Sequence, residues 1–141
     1  MPQNGESHMN EPNVFRNRRM PREDFRGSDW SGHDFTDSVL FGSKFQSCVI
    51  KRSLFRNVDL QGANFSEAIC TESDFSGADF SDATLDYGDF RNCVFDGAVF
   101  SETSILRADF SGSTFIKTDL KFQDLSGADF YGCSFVDAIL P

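Results

Sequence analysis

From residue 25 to residue 140 every position divisible by five is apolar, an unbroken run of 24 repeats: fourteen Phe, six Leu, two Ile, Trp30 and Cys70. The residue two places earlier is Ala, Ser, Cys, Thr, Val or Gly in 21 of those 24, the exceptions being Glu23, His33 and Gln123. Asp stands between the two in eleven repeats, as at Asp74, Asp79 and Asp109, and Ser-Gly often follows, as at Ser76-Gly77 and Ser111-Gly112. A period of five fits neither common element. On an α-helix five residues turn the chain through about 500°, so successive Phe would wander around the cylinder. On a flat strand an odd period sends successive Phe to opposite faces. A chain that runs one short extended side and then turns a corner every five residues satisfies the pattern. The large residue and the small one two before it then both point inward, and Asp, Ser and Gly suit the corner. The pattern predicts a solenoid.

The segment Ala-Asp-Phe-Ser-Gly at 108–112, with close variants at 63–67, 73–77, 78–82 and 128–132, resembles the pentapeptide-repeat proteins. The resemblance covers roughly residues 23 to 140. It implies an all-β fold, a right-handed quadrilateral β-helix with four repeats, or twenty residues, per coil. On that basis 24 repeats make about six coils, a rod of roughly 29 Å at a strand spacing of ~4.8 Å. The expected division is a polar N-terminal tail or cap over residues 1–22 and the β-helix over 23–141. The inward exceptions Glu23 and His33 fall in the first coil and Gln123 in the last. Burying an unpaired polar group costs ~1–3 kcal/mol, so such residues belong where water still enters. His33 is read as a satisfied structural residue. Phe15 and Met20 keep the phase, so a lead-in coil or cap is expected to begin near Asn13, although Arg18 at an inward position argues against a regular coil there. Disorder is expected up to about Asn10.

Composition narrows the function. No apolar run approaches the ~18 residues of a membrane span, and residues 1–22 lack the apolar region of a secretory signal, so a soluble, cytoplasmic protein is expected. Cys48, Cys70, Cys93 and Cys133 form no C-x-x-C pair, and with His8 and His33 alone no zinc site is built by local spacing. Cys48 and Cys70 would sit in neighbouring coils about 8 Å apart at Cα, beyond the ~7 Å reach of a disulfide. No glycine-rich phosphate loop or nucleophile elbow appears, and the Ser and Asp residues are explained by the repeat. The expectation is a protein that is not an enzyme, with no catalytic residue, no cofactor and no metal.

Charge points to the surface. Residues 23–141 carry 20 acidic and 9 basic side chains. Spread along the rod this is roughly one net negative charge per 2.6 Å, against one per ~1.7 Å for duplex DNA. Direct nucleic-acid binding is disfavoured, and nucleic-acid mimicry fits. With twenty residues per coil, Asp89, Asp109 and Asp129 stack on one face, and Asp59 and Asp79 on another with Asp82 nearby. The fourth coil is acidic nearly all round, adding Asp74 and Asp86. The bases Lys44, Lys51, Arg52 and Arg56 gather towards the N-terminal end. One group within the family mimics DNA and binds type II topoisomerases, so the resemblance implies a non-enzymatic partner of gyrase or topoisomerase IV, bound through Asp59, Asp79, Asp82, Asp86, Asp89, Asp109 and Asp129. The alternative is a structural or scaffold interaction module. The quinolone-resistance members of that group commonly carry loops that break the repeat and a terminal dimerising helix. Here the phase is unbroken and runs to Ile139-Leu140-Pro141.

The last coil carries outward apolar residues the motif does not ask for: Phe122, Tyr131, Val136 and Ile139. Together with the open layer of Leu125, Phe130, Phe135 and Leu140 they predict an apolar patch at one end of the rod. A two-fold homodimer through the C-terminal coils is expected from it.

Overall fold

The structure, a computed structural model, describes residues 14–141; the expectations placed on residues 1–13 lie outside the described residues. Parallel bridges join each outward residue to the one twenty places later, Ser104 and Asp124 excepted, from Val14↔Asp34 through Asn64↔Thr84 to Asp119↔Ile139. One coil is therefore twenty residues. Coil 1 is residues 14–33, coil 2 is 34–53, coil 3 is 54–73, coil 4 is 74–93, coil 5 is 94–113 and coil 6 is 114–133; residues 134–141 begin a seventh. Each coil has four sides, and the whole is a right-handed quadrilateral β-helix. Side one carries Val14, Asp34 and their successors, side two Arg19 and Val39, side three Asp24 and Lys44, side four Asp29 and Val49.

Among the described residues the ladder already includes Val14 and Arg19, bridged to Asp34 and Val39. Arg18 does not prevent it. In coil 1 its side chain remains exposed, with the guanidinium 5.4 Å from the Phe15 ring centre, and its N–H donates to Ser38 Oγ at 3.1 Å.

Each side is held by backbone bonds to the coil on either side of it. Asn64 N–H donates to the Ser43 carbonyl at 3.0 Å, while Phe45 N–H donates to the Asn64 carbonyl at 2.7 Å. Corners are made one way. The second residue after each large inward residue has left-handed φ at every corner from Asn17 to Asp137 except Phe122. Glycine adopts that φ freely, and at Gly77 it is also needed for space, because a Cβ there would run into Asn57 Oδ1.

The core is a set of stacked columns. On side one, Phe15, Phe35, Phe55, Phe75, Phe95, Phe115 and Phe135 follow one another, the Phe35–Phe55 and Phe55–Phe75 centroids lying 4.8 and 5.1 Å apart. Side three begins Phe25, Phe45, Phe65 at 4.7 and 4.5 Å, nearly coplanar. The small slot has chemistry of its own. Its hydroxyls and thiols donate to the carbonyl 23 residues earlier: Ser73 Oγ to Ile50 at 2.7 Å, Ser113 Oγ to Phe90 at 2.7 Å, Thr118 Oγ1 to Phe95 at 2.9 Å and Cys93 Sγ to Cys70 at 2.9 Å. His33 belongs to the same core. Its Nδ1–H points at the Trp30 and Ser31 carbonyls, at 3.1 and 3.0 Å, and its ring stacks on Phe15.

Candidate interaction surface

Twelve carboxylates and carboxamides preceding the large residue cap their own corner. Asp59 Oδ1 accepts the Gln61 N–H at 3.1 Å, Asp79 that of Ser81 at 2.9 Å, Asp109 that of Ser111 at 2.9 Å and Asp129 that of Tyr131 at 2.9 Å. The side chain replaces a backbone acceptor, which is why short Asp and Asn favour this place.

Asp59 bridges Asp79 on side two, and Asp89, Asp109 and Asp129 stand in register on side four, as the spacing predicts. Ion pairing separates the two columns. Asp89 is held by Arg91 through two bonds of 2.8 Å. Burial pushes its carboxyl up, the hydrogen bonds from Arg91 pull it down further, and the net pKa is lowered. Asp74 is likewise paired with Arg56 at 2.7 Å, and Glu72 with Arg52 at 3.6 Å. Among the described residues Asp59, Asp79 and Asp82 have no cation within ion-pair distance, nor do Glu102 and Asp119, which continue the same side and corner. Glu102 and Asp119 are the acids that the columns of the sequence analysis left out. A spacing of twenty from Asp82 and of forty from Asp79 identifies them.

Asp86 is used internally. Coil 5 has Ser104 where an Asp would cap the corner, and Asp86 reaches across from coil 4 instead. It accepts from Ser104 Oγ at 2.6 Å and from the Leu106 N–H at 2.9 Å. Asp96 does the same for Thr114 and Ile116, at 2.7 and 2.9 Å. Both carboxylates tie neighbouring coils together.

Cations gather at the other end. Residues 14–53 hold eight basic and five acidic side chains, residues 54–141 five basic and fifteen acidic. Arg19 and Arg22 lie over the half-buried Phe41 ring, at 5.7 and 5.0 Å. An open groove of about 530 Å³ between coils 1 and 2 is lined by Asp24, Arg26, Gly27, Gln46 and Ser47, and the Asp24–Arg26 ion pair at 2.7 Å already occupies its charges. Among the described residues no group of His, Cys, Asp and Glu is arranged to hold a metal ion, and no helix is long and apolar enough to cross a membrane.

At the C-terminal end Phe122 is 91% exposed and Tyr131 84%, with Val136, Ile139 and Leu140 about half exposed. Leu125, Phe130 and Phe135 are half-buried: Phe130 stacks on Phe110 and Phe135 on Phe115, at 5.2 and 5.3 Å. These three form the top layer of the core, and the exposed side chains are spread around its rim. Phe122 stands at the corner after side two, Tyr131 after side four and Val136 after side one.

The twenty-residue coil and the capping Asp have a counterpart among known sequences. A family profile described as pentapeptide repeats matches eight copies over residues 24–57, 59–97, 78–115 and 106–140. The chain belongs to the pentapeptide-repeat family. Among solved structures, this pentapeptide-repeat rod is similar to a pentapeptide repeat protein of the Arabidopsis thaliana thylakoid lumen. The two share 28% identity at a TM-score of 0.69, over 70% of this chain and 69% of that one. It also resembles a pentapeptide repeat protein of the cyanobacterium Cyanothece, with 12% identity, a TM-score of 0.56 and 97% of each chain covered. A trypsin-treated form of QnrB1, a plasmid-mediated fluoroquinolone resistance protein, gives 23% identity and a TM-score of 0.52, over 89% of this chain and 73% of that one. At those identities the last two likenesses concern the fold. No curated protein matches the sequence.

Proposed function

We propose that this pentapeptide-repeat protein is a non-enzymatic cytoplasmic binding protein whose side two stands in for DNA in the cleft of a type II topoisomerase, gyrase or topoisomerase IV. One observation carries the reading: Asp59, Asp79, Asp82, Glu102 and Asp119 line one side and corner of the rod with no cation paired to them among the described residues. Over residues 54–141 the excess of acids amounts to roughly one net charge per 2 Å of axis, close to the one per ~1.7 Å of duplex DNA. Attraction of that kind is screened within ~8 Å at physiological ionic strength, so binding should weaken steeply with salt. The likeness to a fluoroquinolone resistance protein is in keeping with this reading, and the scaffold module is the other outcome of its test.

The test is a supercoiling assay with purified gyrase at low salt. Inhibition at micromolar protein is expected. It should fall with Asp59→Asn, Asp79→Asn and Asp82→Asn together, and persist with Glu67→Gln, Glu72→Gln and Asp89→Asn on the opposite side. Supercoiling untouched at tens of micromolar would remove the topoisomerase and leave a scaffold module. The same proposal includes a two-fold dimer through the rim of Tyr131, Val136, Ile139 and Leu140, since an isologous contact is the commonest closed arrangement.

A further inference from the structure

The β-ladder has one defect, and it lies where two residues depart from the motif together. In coil 4 the N–H groups of Phe80, Asp82 and Leu85 donate to the carbonyls of Val99, Ser101 and Ser104 in the coil above. Of the equivalent groups of coil 5, Glu102 and Ile105 have no such partner among the described residues, and Ser104 and Asp124 form no bridge, although Val99 and Asp119 still do. At Arg107 the ladder resumes one residue out of step, its N–H reaching the Gly127 carbonyl at 2.7 Å. Residues 121–126 therefore cross the corner after side two and side three as a strap lifted off the coil beneath. A cleft of about 260 Å³ opens under it, lined by Thr103, Ser104, Ile105, Leu106, Asp124 and Ser126.

Two residues mark the lift. Position 122 is the one corner from Asn17 to Asp137 without left-handed φ; it holds Phe, although Tyr87, equally bulky, takes that φ at its own corner. Position 123 should be small and holds Gln. Its carboxamide is 4% exposed and inserted between the coils, with Nε2–H donating to the Thr103 carbonyl at 2.6 Å and Oε1 accepting the Thr103 N–H at 3.2 Å. It takes the place of backbone and holds the strap about its middle. Both ends are tied down conventionally. Before the strap, Thr118 Oγ1 donates to the Phe95 carbonyl at 2.9 Å; beyond it, Asp129 pairs with Asp109.

We infer that residues 121–126 are a strap that opens and closes on an otherwise rigid rod, with the Gln123 carboxamide as its latch. Opening uncovers the edge of residues 98–107 and moves Phe122, the most exposed apolar side chain of the described residues, relative to the rest of the C-terminal rim. The strap is thus the adjustable part of an interaction surface whose other members are fixed to laddered coils. Local opening of this kind belongs to segments with few backbone bonds. The inference holds whether or not the partner is a topoisomerase.

Amide hydrogen exchange on the whole chain tests it. In the wild type the amides of Glu102 and Ile105 should exchange about tenfold or more faster than those of Asp82 and Leu85, for want of their ladder bonds. Gln123→Ala should speed exchange of the Thr103 amide while leaving coil 4 unchanged. The pair Phe122→Gly with Gln123→Ala restores the motif and should slow Glu102 and Ile105 to the rates of coil 4. Coil 4 protection reports in every variant that the rod is folded. Equal protection of coils 4 and 5 in the wild type, or a double variant that leaves coil 5 fast, would overturn the strap.

Discussion

The hydroxyl of Ser73 accepts the Ser53 N–H at 3.0 Å and donates to the Ile50 carbonyl, two buried groups with no other partner among the described residues. Ser73→Ala would strand both, at about 1–3 kcal/mol, whereas Ser73→Cys keeps a donor of similar size and should cost less. Urea denaturation of the two variants checks this, and equal loss would mean that volume alone matters in the slot. Phe75, stacked on Phe55 and Phe95, should cost about 3–5 kcal/mol on truncation to Ala. Phe122→Ser should cost far less in the same assay, because its ring is in solvent. The cysteines extend the argument to reactivity. Burial pushes the Cys48 thiol up to about 11 and that of Cys93 to about 12, and raises Cys70 and Cys133 as well. Thiolate is the reactive form, so the folded protein at pH 8 should react slowly with a thiol reagent. Half-exposed Cys133 should go first, and rapid modification of all four would contradict the packing.

The five-residue element is a side and a corner, and its Asp residues couple the corner to pH. Hydrogen bonds from Arg26 hold the Asp24 carboxyl at about 2 against an ordinary 3.8. Asp29, capping Ser31, is also lowered. At Asp74 burial raises the pKa, but the Arg56 and Ser76 bonds outweigh it and leave it lowered. A carboxyl whose folded pKa lies below its unfolded value contributes stability above the unfolded pKa and loses it as pH falls through the folded one. Melting temperature should therefore be flat from pH 7 to about 5 and fall between about pH 4 and pH 2. A melting temperature unchanged at pH 2 would mean that the corner caps contribute nothing.

Over the whole molecule, like charges outnumber ion pairs. Aligned carboxylates such as Asp109 and Asp129 stand one coil apart, where two exposed charges repel by roughly 0.9 kcal/mol in water. Raising ionic strength from 0.01 to 0.15 M shortens the screening length from about 30 to about 8 Å. It should raise the urea midpoint of the isolated rod while weakening its hold on a cationic partner. A midpoint that falls with salt would show that the exposed ion pairs matter more than the repulsion. At the C-terminal end, light scattering should give twice the 15.8 kDa chain mass at micromolar concentration. Tyr131→Ser with Val136→Ser should return it to one, since both side chains stand on the rim and can change without opening the core. A wild-type monomer would leave the rim to a different protein.

The period of five alone determined which side chains face inward, because facing is a local property of an extended side followed by a corner. Phe75 and Phe95 could be placed in the core from that rule alone, and Asp59 and Asp79 on one outer side once a coil of twenty was assumed. What each polar group bonds to was decided only by the stacking of coils. Ser73 meets the Ile50 carbonyl, Arg56 neutralises Asp74, and Asp86 caps a corner one coil away, all through contacts of 18 to 23 residues that no five-residue motif encodes. The first described coil is similar: Arg18 breaks the rule for an inward position, yet coil 1 forms because its backbone is bonded to coil 2. At the other end Gln123 keeps the phase in sequence but not in space, since a carboxamide fills room that a small residue would leave to the neighbouring strand.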